Sequence, residues 1–339
     1  MRIGFFGLPL AAYLLVEDGH TLAFAALSPI RAPGARRLRR LIGAERVLDA
    51  AELGNRLGEE VEARLGEAEL IVSWFWTRRL PGAWLARAPL GAIGVHPSLL
   101  PRHRGPDPFF AAIDAGDEET GVTVHRLDAS YDTGPILLAE RLRIGERSAW
   151  QLARALDRPA LRLLREAARR IASGAPMPEA RQDESLATWA GEPEGAELRA
   201  DFSWDTSRVL RRIRALAPVP GLAIAVHDQN LFVTEAIAEP RLLPALEPGE
   251  ALIDAQRGLG IRTGDGGIVV TAATVGEASG LPAGTELDAA GVAALLAEAG
   301  NRPCDARGTR LGAGSGAVID WPPSEEQDDR SGDDGADRP

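Results

Sequence analysis

The chain has 339 residues, 45% hydrophobic and 26% charged, the composition of a soluble globular protein long enough for two domains, which excludes a disordered or collagen-like chain. Its formal charge of −11 gives no general attraction for nucleic acid, so DNA is set aside and tRNA binding would need a local basic patch. A single cysteine, Cys304, excludes an internal disulfide and a cysteine-rich zinc site, no metal is expected, and the basic residues are all arginine, which excludes a lysine Schiff base.

No run approaches the ~20 apolar residues of a membrane span, and Arg2–Gly7 opens the chain as a strand, so no membrane is expected and the cytoplasm is the expected compartment. Pro9–Glu17 follows as a helix and Leu22–Ser28 as a second strand. Ala68–Trp74 is another apolar run, trailed by Leu80–Arg87, and Gly91–His96 is a strand stopped by Pro97. This alternation describes a parallel sheet covered by helices. Thr120–Leu127 and Ile136–Ile144 are further strands. Ser148 with Gln151 forms a capping box for a long helix through Ile171, interrupted at Pro159, with Gly174 as its end signal.

Residues 176–200 are rich in Pro, Glu, Gly and Ala without apolar period, the composition of an interdomain linker. A helix over Asp205–Leu216 turns Val209, Leu210, Ile213 and Leu216 to one face and most of its arginines to the other. Short strands punctuated by glycine and proline follow at Ala223–His227, Leu231–Ala236, Leu259–Arg262 and Ile268–Ala272, suiting a small β-barrel. The expected division is 1–175, a linker over 176–200, a barrel over 201–305 and a disordered acidic tail over 306–339. In the last stretch, Ser324–Pro339, seven acids stand against Arg330 and Arg338.

The densest chemical signal is His96-Pro97-Ser98-Leu99-Leu100-Pro101-Arg102-His103-Arg104-Gly105. A histidine at the carboxyl end of a strand in such a sheet stands where ligands bind, and it can move protons near neutral pH; taken alone, it reads first as a cap on a surface turn. Gly121-Val122-Thr123-Val124-His125 and Asp132-Thr133-Gly134 follow, the latter by itself an ordinary Asx-type turn. Together and in this order, the strings resemble the folate-dependent formyltransferase family. Trp204 and Arg214-Ala215-Leu216-Ala217-Pro218-Val219-Pro220-Gly221 resemble the segment that opens the carboxyl-terminal domain of its two-domain members. The likeness runs over roughly Met1–Val275.

The resemblance implies an α/β Rossmann-like domain followed by a small, OB-like β-barrel, and transfer of a formyl group from 10-formyltetrahydrofolate to an amine. It assigns catalysis to His96 and Asp132, and ligand contacts to Trp74, Trp76, Gly94, Ser98, Leu99, Arg104, Gly105 and Thr133. The family's third catalytic residue, an asparagine two residues before the histidine, is here Gly94. Loss of one oxyanion donor costs on the order of 10²–10³ in rate. Either Ser73, Thr77 or His103 supplies a replacement donor, or the scaffold performs folate-independent chemistry such as another acyl transfer, a hydrolysis or an internal condensation, or the chain only binds a ligand or tRNA.

The aromatic run Trp74-Phe75-Trp76 either stacks on a planar ligand or fills the core. Arg31, Arg36, Arg37, Arg39 and Arg40 lie where the family's tRNA-acting members carry basic residues, but the helical period of Leu38, Leu41 and Ile42 also reads as a solvated helix face. The expected acceptor is therefore a small-molecule amine of specialised metabolism rather than tRNA.

Overall fold

The computed structural model describes residues 1–298 except 31, 227–228, 241–245, 255–257 and 277–280. Arg31 of the basic cluster, Cys304 and the acidic tail expected over 306–339 lie outside the described residues. The contacts form two units, one of residues 1–200 with 204–222, the other of 201–203 with the chain from residue 223 onward.

In the first unit, strands β1 (Arg2–Gly7), β2 (Thr21–Leu27), β3 (Val47–Asp49), β4 (Leu70–Trp74), β5 (Ala92–His96), β6 (Glu119–Arg126) and β7 (Ile136–Arg143) form one sheet in the order β3-β2-β1-β4-β5-β6-β7. Strands β1 to β5 pair in parallel and are nearly continuous apolar runs, as burial on both faces requires. Connections from β1 run outward to β2 and β3, then return to β4 on the other side, which opens a crevice at the carboxyl ends of the strands. The link from β6 to β7 is too short for a crossover, so this pair is an antiparallel hairpin. Asp132 rides on its loop.

Around the sheet lie α1 (Pro9–Glu17), α2 (Ala35–Ile42), α3 (Ala50–Leu53), α4 (Leu57–Arg64), α5 (Gly82–Leu85), α6 (Pro108–Asp114) and α7 (Ala149–Ser173). The Ser148 capping box starts α7, Gly174 ends it in the left-handed conformation, and the helix continues through Pro159. α8 (Thr206–Leu216) packs on α6 within this unit, instead of opening the barrel. The cause is Arg212, buried rather than solvated: its guanidinium pairs with Asp114 and donates to the Glu197 and Arg199 carbonyls. Trp204 lies beneath Arg208, with the cation 3.9 Å from its ring centre.

Residues 176–200 likewise belong to the first unit. They form a strap stitched by backbone hydrogen bonds, with Ala180 exchanging both with Ile136, and Arg104 donating to Thr188 while accepting from Ala190. Low apolar content marked this stretch as a linker; main-chain pairing, which leaves no hydrophobic signature, anchors it.

The second unit carries β8 (Leu222–Val226), β9 (Gln229–Ala238), β10 (Ala251–Asp254), β11 (Gly258–Arg262), β12 (Gly267–Val275) and β13 (Glu286–Asp288), with α9 (Ala289–Glu298) against the sheet. The strands pair in the order β10-β11-β12-β9-β8, with β13 beside β12, giving a curled antiparallel half-barrel.

Candidate active site

A cavity of about 430 Å³ opens at the carboxyl ends of β4 and β5. Trp74, Phe75 and Trp76 form one wall, and His96, His125 and Asp132 stand together in another. Strand register explains the second grouping. Gly94 lies opposite His125 and beside Ser73, while His96 lies opposite Thr123. These positions therefore share one face of the sheet.

Asp132 is held from several directions. Its Oδ2 accepts the Gly105 N–H at 2.9 Å and lies 3.5 Å from His96 Nδ1; its Oδ1 lies 3.5 Å from His125 Nε2. Burial pushes its carboxyl up, but the two histidines and the Gly105 N–H outweigh this and hold it well below the usual carboxylate range. Its backbone has φ 57°, a region that aspartate tolerates better than most residues. Gln182 in the strap fixes the turn by donating to the carbonyls of Asp132 and Gly134 at 2.7 and 2.8 Å. Gln182 is in turn held by Arg104, whose guanidinium also grips Glu184.

Each histidine commits one ring nitrogen to a backbone carbonyl. His96 Nε2 meets the His103 carbonyl oxygen at 2.6 Å, and His125 Nδ1 meets that of Arg126 at 2.8 Å. A carbonyl only accepts, so both nitrogens carry hydrogen. Burial pushes the His96 pKa down, opposed in part by Asp132. His96 thus rests neutral at neutral pH, with a bare Nδ1 turned to the carboxylate: a proton acceptor, not a second donor. Phe75 and His103, at φ 56°, join Asp132 as the described non-glycine residues in the left-handed region. Strain concentrated in this way is typical of working sites.

The remaining expected positions divide. Gly105 borders the cavity, and an added Cβ there would lie 2.8 Å from the Ala190 carbonyl in a backbone of φ +112°. Trp74 and Trp76 line the cavity while packing inward, Trp76 edge-on to Phe6 at 5.3 Å. Ser98, Leu99, Arg104 and Thr133 do not line it. Ser98 is wholly buried and donates to the Arg102 carbonyl, Leu99 packs against Gly121, and Thr133 donates to Asp128. These four make local contacts within the loops beside the cavity.

Among the replacement donors, Ser73 and Thr77 line the cavity. The His103 ring instead turns to Asp117, 2.8 Å away, and only its carbonyl serves the site, so it is not the substitute. Gly94 has no left-handed φ; an added Cβ would meet Leu127 Cδ2 at 2.6 Å and His125 Nε2 at 3.3 Å. No motif gives His125 a role; its parity with Thr123 along β6 is the available signal. Gln182 had none, because its partners are carbonyls distant in sequence.

Of the basic cluster, Arg37 lies over the Tyr13 ring at 4.1 Å, and Arg39 faces Glu52 and Asp49 at 2.9 and 3.6 Å. No helix among the described residues is long and apolar enough to cross a membrane.

The sequence matches the Formyl transferase family over residues 36–166 and the Formyl transferase, C-terminal domain, over residues 194–281. It is 34% identical to the methionyl-tRNA formyltransferase of Anaeromyxobacter dehalogenans (strain 2CP-C), over 86% of this chain and 96% of that protein. The fold is shared with HypX from Aquifex aeolicus, solved in complex with tetrahydrofolic acid, at TM-score 0.59 and 20% identity, over 86% of this chain and 46% of HypX. It is shared also with the N-formyltransferase from Helicobacter canadensis, solved with folinic acid and dTDP-3-aminofucose, at TM-score 0.56 and 15% identity, over 80% of this chain and 98% of that one. With both domain matches in place and a relative aligned over nearly its whole length, the chain belongs to the two-domain formyltransferase family, enzymes that transfer formyl groups.

Proposed function

We propose that the chain transfers a formyl group from 10-formyltetrahydrofolate to the amine of a small molecule. The observation that carries this reading is the pairing of neutral His96 with anionic Asp132 at the mouth of the sheet, beside an aromatic cavity. The cavity suits a reduced pterin. Its 430 Å³ falls within the ~300–1,000 Å³ of ligand sites, and the indole N–H of Trp76 is buried without a partner among the described residues. Trp74 and Trp76 would hold such a ring, and the N10 attached to it would supply the activated formyl group. His96 Nδ1 receives the proton that the attacking amine loses, and Asp132 stabilises the resulting imidazolium.

A small acceptor is favoured because Arg37 and Arg39 are already engaged by local partners and the chain is strongly acidic. The second reading, formylation of an aminoacylated tRNA, is favoured by the name of the 34%-identical relative. Incubation with 10-formyltetrahydrofolate, followed by absorbance, tests the assignment. Tetrahydrofolate release that depends on a small amine supports it. Release that depends only on methionyl-tRNA transfers it to the second reading, and failure to bind any reduced folate removes both.

A further inference from the structure

Trp189 is 59% exposed, and Tyr131, the residue before Asp132, is 46% exposed. Both stand in the cavity wall, with ring centres 6.1 Å apart and planes at 68°, so they form an aromatic corner. Exposure alone says little, since Trp150 is 58% exposed outside that wall. Placement separates Trp189 from it. The strap brackets Trp189 against Arg104: the Arg104 N–H donates to the Thr188 carbonyl at 2.9 Å, and the Ala190 N–H donates to the Arg104 carbonyl at 2.6 Å. The indole is thereby laid against Gly105, where an added Cβ would stand 3.0 and 3.1 Å from its Cζ2 and Cε2. That glycine is the one whose N–H holds Asp132 Oδ2. Gly191 lies against the indole as well, with an added Cβ there 3.5 Å from Nε1. Main chain braces the ring, and more than half of the residue stays open.

The Asp132 carboxylate separates this corner from the other aromatic wall. Its Oδ1 faces His125, which adjoins Gly94 and Leu127, and Leu127 packs on the same apolar cluster as Trp76. Its Oδ2 faces Gly105 and, beyond it, the Trp189 ring. The two aromatic surfaces thus reach the carboxylate from the sides of different oxygens. We infer that Tyr131 and Trp189 form the acceptor's subsite, receiving an amine whose body carries a ring with a flat apolar face, and that Trp189 selects for that ring. The assignment rests on the formyl-transfer reading, which gives the pterin to Trp74 and Trp76 and leaves this corner to the second substrate. Two rings set at 68° suit a third that stacks on one and meets the other edge-on. An aromatic ring and the C–H face of a sugar both offer such a surface. Stacking of this kind is worth about tenfold in affinity.

Fluorine NMR of the full chain labelled with 5-fluorotryptophan tests this without turnover. Of the seven tryptophans, the signals of Trp74, Trp76 and Trp189 are assigned by their loss in Trp74→Phe, Trp76→Phe and Trp189→Phe. 5-Formyltetrahydrofolate is expected to move the first two and leave Trp189 nearly in place. Tyramine or glucosamine, added to that complex, is expected to move Trp189, and n-butylamine, which has no ring, to bind at least about tenfold more weakly by the same signal. A response to tyramine alone names an aromatic acceptor ring, and one to glucosamine alone a sugar. A Trp189 signal that follows the folate, answers butylamine as strongly as the ring-bearing amines, or answers neither of those overturns the inference. Calorimetric titration of the folate complex supplies the second arm. Trp189→Ala is expected to weaken the better ring-bearing amine at least about tenfold without weakening butylamine or 5-formyltetrahydrofolate, and Trp189→Phe to recover most of the loss. Equal weakening of both amines, or weakening of the folate, also overturns it. Absence of any folate response at Trp74 and Trp76 overturns the formyl-transfer reading instead, and the response of Trp189 to the amines is then judged in the ligand-free chain.

Discussion

Asp132 joins a backbone requirement to a charge requirement, and the two can be separated by substitution. Asp132→Asn keeps a side chain that tolerates the left-handed region but removes the negative charge that faces both histidines. It is expected to fold normally by circular dichroism and to lose at least about tenfold in kcat/KM, whereas Asp132→Ala adds roughly 1–2 kcal/mol of backbone cost. Equal activity of Asp132→Asn and wild type would remove the carboxylate from the chemistry. Gly94→Asn alone is expected to be tolerated structurally, since Leu127, a flexible side-chain end, is the group that must give way. A large drop in melting temperature would contradict that account. His96 and Asp132 were legible in the sequence because each sits in a short motif whose spacing is set by one strand end or one turn. His125 was visible but silent. Its meaning depends on its facing Gly94 across two antiparallel strands, and pairing register is not written in either strand alone.

At the scale of elements, the strap and α8 show where composition misleads. Gln182→Leu leaves the Asp132 and Gly134 carbonyls without their donor, at about 1–3 kcal/mol. It is expected to lower both the melting temperature and kcat, while Gln182→Glu, which cannot donate to those carbonyls when ionised, is expected to be no better. An unchanged kcat in Gln182→Leu would show that the turn keeps its shape without the strap. α8 makes the parallel point with a charge. Arg212 is 6% exposed and faces Asp114, so Arg212→Met strands a carboxylate and is expected to cost on the order of 3 kcal/mol. Arg212→Met with Asp114→Leu is expected to recover much of that loss in chemical denaturation. Hydrophobic period found α7, its cap and the main strands of the sheet, because burial on a regular element leaves a period to read. The same tool took 176–200 for a linker and Arg212 for a solvated residue, since pairing by main-chain hydrogen bonds or buried ions leaves none.

Among the described residues, the histidines whose pKa is lowered by burial belong to one of the two units. His96 and His20 both lie in the first unit, and burial is the leading cause that lowers the pKa of each. A histidine whose folded pKa is lowered stays neutral in the native state while the unfolded chain begins to bind protons below about 6.5. Its contribution is therefore complete above that pH and is lost as the pH falls from there toward the lowered folded value. Asp132, Asp18 and Asp117 are shifted down as well, and by the same linkage their contribution persists to lower pH, fading only as the solution falls below the ordinary carboxylate range. The melting temperature of the ligand-free chain is thus expected to decline in two stages on acidification, the first starting near pH 6.5 and the second near pH 4. Scanning calorimetry from pH 8 to pH 3.5 checks this. Where the units melt as separate transitions, the decline due to His96 and His20 is expected in the transition of the first unit. Replacing His96 and His20 together by glutamine is expected to flatten the early stage and leave the later one. A first stage that survives that double substitution would assign the acid sensitivity to groups other than these buried imidazoles.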